Sequence, residues 1–210
     1  MKIPVEILRL DSEQVVEANL FDDVTVDHFL ESQVEWRPLV LEAAKVLKKR
    51  GVAASELPAH WHWNWGSKAS DLQALAFSFF GIECDGQLQG LMKLDIATRS
   101  SRLIGQKGKP IVYVDYIETA PWNVKFLMKA LDKTPRFAAV GTRLIEAAVR
   151  KSIEEGFKGR VALHSLPGAE RFYLDVCGMG ASEHDPEKEN LLWCEFTSAQ
   201  AEEFLGGEKT

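Results

Sequence analysis

Two apolar runs, residues 75–84 and 87–96, flank the dipeptide Asp85-Gly86. A two-residue Asp-Gly connection takes positive backbone angles that match the twist of paired strands, so the segment predicts an antiparallel hairpin. The second half of the chain follows another pattern. Residues 141–155 carry Leu144, Ile145, Ala148, Val149, Ser152 and Ile153 on one helical face, with Gly156 just past the end. Residues 160–165 read as a short strand, and Pro167 as the first turn of a helix carrying Ala169, Phe172, Tyr173 and Val176 that Gly178 stops. Residues 191–197 read as a further strand, and Ser198 as the cap of a last helix with Ala201, Phe204 and Leu205 inward. A hairpin followed by alternating strands and helices predicts an α/β chain with a mixed sheet.

The remaining segments fit that frame. Residues 111–119, Ile-Val-Tyr-Val-Asp-Tyr-Ile-Glu-Thr, are β-branched and aromatic and predict a strand that Ala120-Pro121 ends. Residues 34–50 place Val34, Leu39, Leu41, Val46 and Leu47 among charges and finish Lys48-Lys49-Arg50-Gly51, as a helix does. Residues 99–110, with Gly105 and Gly108 among four basic side chains, read as a mobile loop or a longer turn. Val124, Leu127, Met128 and Leu131 make 122–135 a short amphipathic helix.

Composition excludes several classes of function. With 46% apolar and 27% charged residues in 210, the chain buries a core without staples and is not disordered. Three scattered cysteines, Cys84, Cys177 and Cys194, suit neither a disulfide framework nor a zinc site, so no metal is expected. A formal charge of −6 argues against nucleic-acid binding. No apolar stretch approaches the roughly 20 residues of a membrane span, and the N-terminus lacks a signal-peptide core, so a cytoplasmic protein is expected.

The segment that carries chemistry is Arg136-Phe-Ala-Ala-Val-Gly141-Thr142, between a strand and a helix. Small residues at 138, 139 and 141 let a ligand approach the backbone, and the helix offers unpaired N–H groups with a positive dipole end. That combination binds phosphate. The turn also fits a close-packed helix start with no ligand. No Gly-x-Gly-x-x-Gly and no Walker-type loop is present.

In its context the segment resembles the GNAT superfamily of N-acetyltransferases. Arg136-x-x-Ala139-x-Gly141 is similar to that family's acyl-CoA signature Arg/Gln-x-x-Gly-x-Gly/Ala, with alanine in place of the first glycine. Ala169-x-x-Phe172-Tyr173, ending Cys177-Gly178-Met179, is similar to its second signature with one extra residue before the glycine. The resemblance covers about residues 80–200 and implies a single domain, 1–210, with a divergent part at 1–75 and an acyl-CoA-binding core at 76–205. The implied fold is a GNAT-like acyl-CoA N-acyltransferase: a central, mixed, mostly antiparallel sheet with splayed strands, flanked by helices. It also implies that Ile117 and Thr119 bond the pantetheine arm through their main chain. Arg136, Phe137, Ala138, Ala139, Val140, Gly141 and Thr142 would cradle the pyrophosphate, and Ala169 and Phe172 would line the cofactor. The 122–135 insert departs from the family pattern.

The implied reaction moves an acetyl group from acetyl-CoA, the cosubstrate, to a primary amine. An ammonium of pKa near 10.4 must shed its proton at pH 7, a cost of roughly 4.6 kcal/mol, and a carboxylate can take it. Glu118, at the end of the 111–119 strand, is the expected base, with Asp115 and His164 as alternatives. Tyr173 is expected to serve the departing thiolate, against a purely packing role. Trp61, Trp63 and Trp65 either wall an acceptor site, where aromatic faces attract cationic amines, or seal the sheet's edge. His60 and His62 lack a third metal ligand. The rival readings are a non-catalytic acyl-CoA sensor, and an acyltransferase using another acyl group or a hydroxyl acceptor. Many such proteins dimerise, so a homodimer is an open expectation.

Overall fold

The computed structural model describes residues 2–53 and 61–207; His60 lies outside them. The strands are β1 (Lys2–Arg9), β2 (Gln14–Phe21), β3 (Phe77–Cys84), β4 (Gln87–Asp95), β5 (Val112–Thr119), β6 (Phe137–Ala138), β7 (Val161–Ser165), β8 (Gly180–Asp185) and β9 (Leu191–Glu195). The helices are α1 (Val26–Glu31), α2 (Arg37–Lys49), α3 (Lys125–Ala130), α4 (Val140–Glu154) and α5 (Ser198–Gly206). The strands pair in the order β6-β1-β2-β3-β4-β5-β7-β9-β8. The β5–β7 pair is parallel, whereas β1–β2, β1–β6, β2–β3, β7–β9 and β8–β9 are antiparallel. The fold is therefore the mixed, mostly antiparallel α/β class. Among the described residues, no helix is long and apolar enough to cross a membrane. The chain divides into two compact units, residues 1–74, 79–92 and 117–144, and residues 75–78, 93–116 and 145–210.

In the first unit, β1 and β2 form a hairpin paired from Lys2↔Phe21 to Arg9↔Gln14, which no turn motif announces. The expected Asp85-Gly86 turn joins β3 to β4 with both residues at positive φ, 55° and 70°. Phe21 lies flat on Gly81: a Cβ there would stand 2.3 Å from its ring. Trp36, Val40, Ala43 and Leu47 are buried at helical spacing along the α2 segment. Val34 is 71% exposed because a π-helical turn, Ser32–Trp36, precedes α2 and shifts the apolar stripe. The insert is helical as expected: α3 buries Leu127 and Met128.

In the second unit, Ile111, Tyr113, Ala162 and Trp193 form a core cluster along β5, β7 and β9. One sequence expectation with two alternatives is resolved here, and two others are corrected. The 99–110 segment takes the longer-turn alternative and is tied down: Ser101 Oγ and Gln106 Nε2 donate to the buried Glu195 carboxylate, and the Arg102 N–H does so at 2.9 Å. Thr197, not Ser198, caps α5, since its hydroxyl accepts the Gln200 N–H at 3.2 Å. The segment after Pro167 is not a regular helix. Pro167 sits in a tight turn, and Phe172–Val176 form a π-helical turn in which the Cys177 N–H reaches Phe172 O at 2.9 Å. The extra residue before Gly178 is absorbed by this wider turn. It rotates Val176 outward, to 55% exposure, while Tyr173 stays buried.

Candidate functional site

Glu118 stands near the C-terminal end of β5, half-buried, at a point where the first unit opens a cleft of about 250 Å³ including its mouth. Trp36, Arg37, Trp61, Trp63 and Trp65 line the cleft with it. Trp65 comes from a 3-10 helical segment, Trp65–Gln73, and its ring packs 5.8 Å from that of Phe29. Its Nε1–H donates to Glu118 Oε2 at 2.7 Å. Loss of water pushes the Glu118 carboxyl up to about 7, with the Trp65 bond, Lys68 and Arg37 opposing the rise. Near pH 7 this carboxylate both accepts and surrenders a proton readily, as a general base must. Arg37 Nη1 donates to Trp61 O at 2.9 Å, which ties that part of the wall to α2. The three tryptophans thus line the cleft around the expected base. Trp36 and Arg37, also in its wall, escaped the sequence reading. An aromatic–basic dipeptide inside the 34–50 helical pattern was the only trace of them.

The small-residue turn opens α4. Arg143 N–H makes the first intrahelical bond, to Ala139 O at 3.0 Å. The N–H groups of Val140, Gly141 and Thr142 find no acceptor among the described residues and crowd the start of a 15-residue helix. Such a cluster of donors fits an anionic phosphate. Ala139 takes φ 68°, a left-handed value, at the position where the family signature has glycine. Gly90 on β4 permits the close approach, since a Cβ there would lie 2.9 Å from Val140 Cγ1.

The upstream half of the predicted cradle is otherwise engaged. Phe137 and Ala138 pair with Arg9 and Leu8 of β1, and the Phe137 N–H donates to Asn123 Oδ1 at 3.0 Å. Arg136 donates to Gln87 Oε1 at 2.8 Å and lies over the Trp122 ring, 5.0 Å from its centroid. The 122–135 insert therefore props the turn from behind. Ile117 and Thr119 flank Glu118 on β5, half-buried.

Tyr173, Ala169 and Phe172 belong to the second unit. Tyr173 is 7% exposed, its ring 5.1 Å from that of Phe172, and burial pushes its phenol well above the usual range. Its hydroxyl has no hydrogen-bond partner among the described residues. The alternative bases are committed elsewhere in that unit. Asp115 accepts from the buried Lys93 at 2.7 Å. His164 lies between the Tyr113 hydroxyl, 2.7 Å from Nδ1, and Asp185, 3.0 Å from Nε2. No three side chains among the described residues are grouped to hold a metal ion.

No family model and no curated protein matches the chain. Solved structures do. The PaiA N-acetyltransferase of Thermoplasma acidophilum, in complex with coenzyme A, is 12% identical with TM-score 0.50, over 86% of this chain and 98% of that one. The GNAT domain of S. lividans PAT is 13% identical with TM-score 0.51, over 93% and 96%. An uncharacterized protein from Bacillus halodurans is 8% identical with TM-score 0.52, over 97% and 94%. The chain has the GNAT N-acetyltransferase fold.

Proposed function

We propose that the protein is an acyl-CoA-dependent N-acyltransferase that acetylates a primary amine. The observation that carries this reading is Glu118: a carboxylate in a tryptophan-lined cleft, its affinity for a proton raised to neutrality. When bound, acetyl-CoA supplies an acetyl group activated as a thioester, and its transfer to an amine forms an amide and frees the thiol. The N–H groups of Val140, Gly141 and Thr142 would hold the pyrophosphate, with Ala139 turning the chain so that they converge. Ile117 and Thr119 would offer their main chain to the pantetheine arm, and Ala169 and Phe172 their side chains.

In the cleft, Glu118 takes the proton that the entering ammonium sheds, at Oε1, while Trp65 holds Oε2. Tyr173 keeps its proton at neutral pH, and its unpartnered hydroxyl is a donor in reserve for the leaving sulfur. All three cysteines are free and buried, which supports a reducing, cytoplasmic setting. A broad amine screen monitored by thiol release from acetyl-CoA tests the proposal. Release that depends on one class of amine and collapses in Glu118→Gln is the expected result. Coenzyme A binding with no release for any amine would instead indicate a sensor.

A further inference from the structure

The cleft carries more polar chemistry than removal of one proton requires. Arg37 projects its guanidinium into the lining and spends one N–H on Trp61 O, 2.9 Å away. Among the described residues it makes no ion pair, so most of a planar, bidentate donor set is left over. Trp36, 3% exposed and in the same lining, buries its Nε1–H with no hydrogen-bond partner among the described residues. The unspent guanidinium donors of Arg37 stand in a cleft whose acidic member is Glu118. A ligand that offers only positive charge would satisfy Glu118 and the indole faces but would set a cation against Arg37. A ligand that offers an amine at one end and a carboxylate at the other satisfies Glu118 and Arg37 together.

We infer that the acceptor is a small amino acid-like zwitterion, its amine at Glu118 between indole faces and its carboxylate at Arg37. The inference rests on the acyltransferase reading of the same cleft and narrows its substrate class. Polyamines, which lack an anionic end, are disfavoured by the same arrangement.

Binding is measured directly, by calorimetry and tryptophan fluorescence, with and without coenzyme A. The probes are free leucine, phenylalanine and lysine, the methyl ester and the N-acetyl form of each, and spermidine. At least one free amino acid should bind. Its ester, with the carboxylate masked, should bind about ten- to a hundredfold more weakly, and its N-acetyl form should lose comparable affinity. Arg37→Met keeps the apolar stem and should erase the preference for acid over ester, whereas Arg37→Lys should keep part of it. The comparison of acid with ester in the unaltered protein stands even if a variant fails to fold. Binding of a free amino acid without thiol release from acetyl-CoA would keep the zwitterion site and remove the reaction. Thiol release with spermidine and none of the amino acids would do the reverse. The inference is overturned if no free amino acid binds, if ester or spermidine binds as tightly as acid, or if Arg37→Met retains the preference.

Discussion

Trp65 Nε1–H donates to Glu118 Oε2 at 2.7 Å across 53 residues of sequence. Burial and this bond act on the carboxyl in opposite senses, and burial wins, leaving it near 7. Trp65→Phe removes the donor that favours the ionised form. The carboxyl should then titrate higher, and the acid limb of the kcat/KM profile should move to alkaline pH by about one to two units. A pH–rate profile checks this. An unmoved limb would mean that Glu118 is not the titrating group.

Glu118→Gln should separate stability from activity. An ordinary glutamate titrates near 4.5, whereas Glu118 titrates near 7 in the folded chain. Between those values the folded state binds more protons than the unfolded one, so stability falls as pH rises from 5 to 8. The variant lacks that slope, and its Tm relative to the unaltered protein should be higher at pH 8 than at pH 5. Its kcat/KM should fall most at neutral pH and recover partly at alkaline pH, where free amine is abundant. Thermal melts at the two pH values, beside a pH–rate profile, give both readings.

Gly141→Asp should abolish coenzyme A binding while the fold survives. Gly141 sits in the first turn of α4, and its N–H is one of three without an acceptor there. An aspartate would place negative charge where the diphosphate is to sit, and would itself stabilise the helix start. Calorimetry should show the affinity lost and circular dichroism should match the unaltered protein. Unchanged affinity would remove the cofactor assignment from this turn.

Local chemistry made much of this fold legible. Asp85-Gly86 could only turn a hairpin, and the α4 segment announces most of its face: Leu144, Ile145, Ala148, Val149 and Ser152 are buried, whereas Ile153, expected with them near the helix end, is 51% exposed. The β1–β2 hairpin was silent because Leu10–Glu13 contains neither glycine nor proline, and Glu13 takes φ 52° with a side chain that does not advertise it. The π-helical turns at Ser32–Trp36 and Phe172–Val176 defeated helical periodicity by one residue each, which is why Val34 and Val176 face solvent. The candidate base could be picked out by its place on a strand. The cleft around it could not, because Trp36, Arg37, Trp65 and Glu118 meet only through tertiary packing.

Ala139→Gly tests the strain at the turn. Ala139 holds φ 68°, a region that costs an alanine about 1–2 kcal/mol relative to glycine. Glycine frees the unfolded chain by somewhat less than that, so the variant should be neutral to about 1 kcal/mol more stable. A rise in Tm of up to about 4 °C is expected for a chain of this size. Clear destabilisation would show that the methyl group packs usefully despite its backbone.

Tyr173→Phe separates catalysis from packing. The ring is buried against Phe172, so phenylalanine keeps its contacts, and the hydroxyl makes no hydrogen bond among the described residues that the variant could break. Stability should therefore change little. Burial holds the phenol above its ordinary value, so the unaltered protein carries a proton at Oη throughout the neutral range. If that proton is needed only as the carbon–sulfur bond breaks, kcat should fall about a hundredfold to ten-thousandfold while coenzyme A affinity holds. Tm, coenzyme A affinity and kcat measured on one preparation distinguish the cases. A normal kcat with a lowered Tm would assign Tyr173 to the core and leave the leaving thiolate to water.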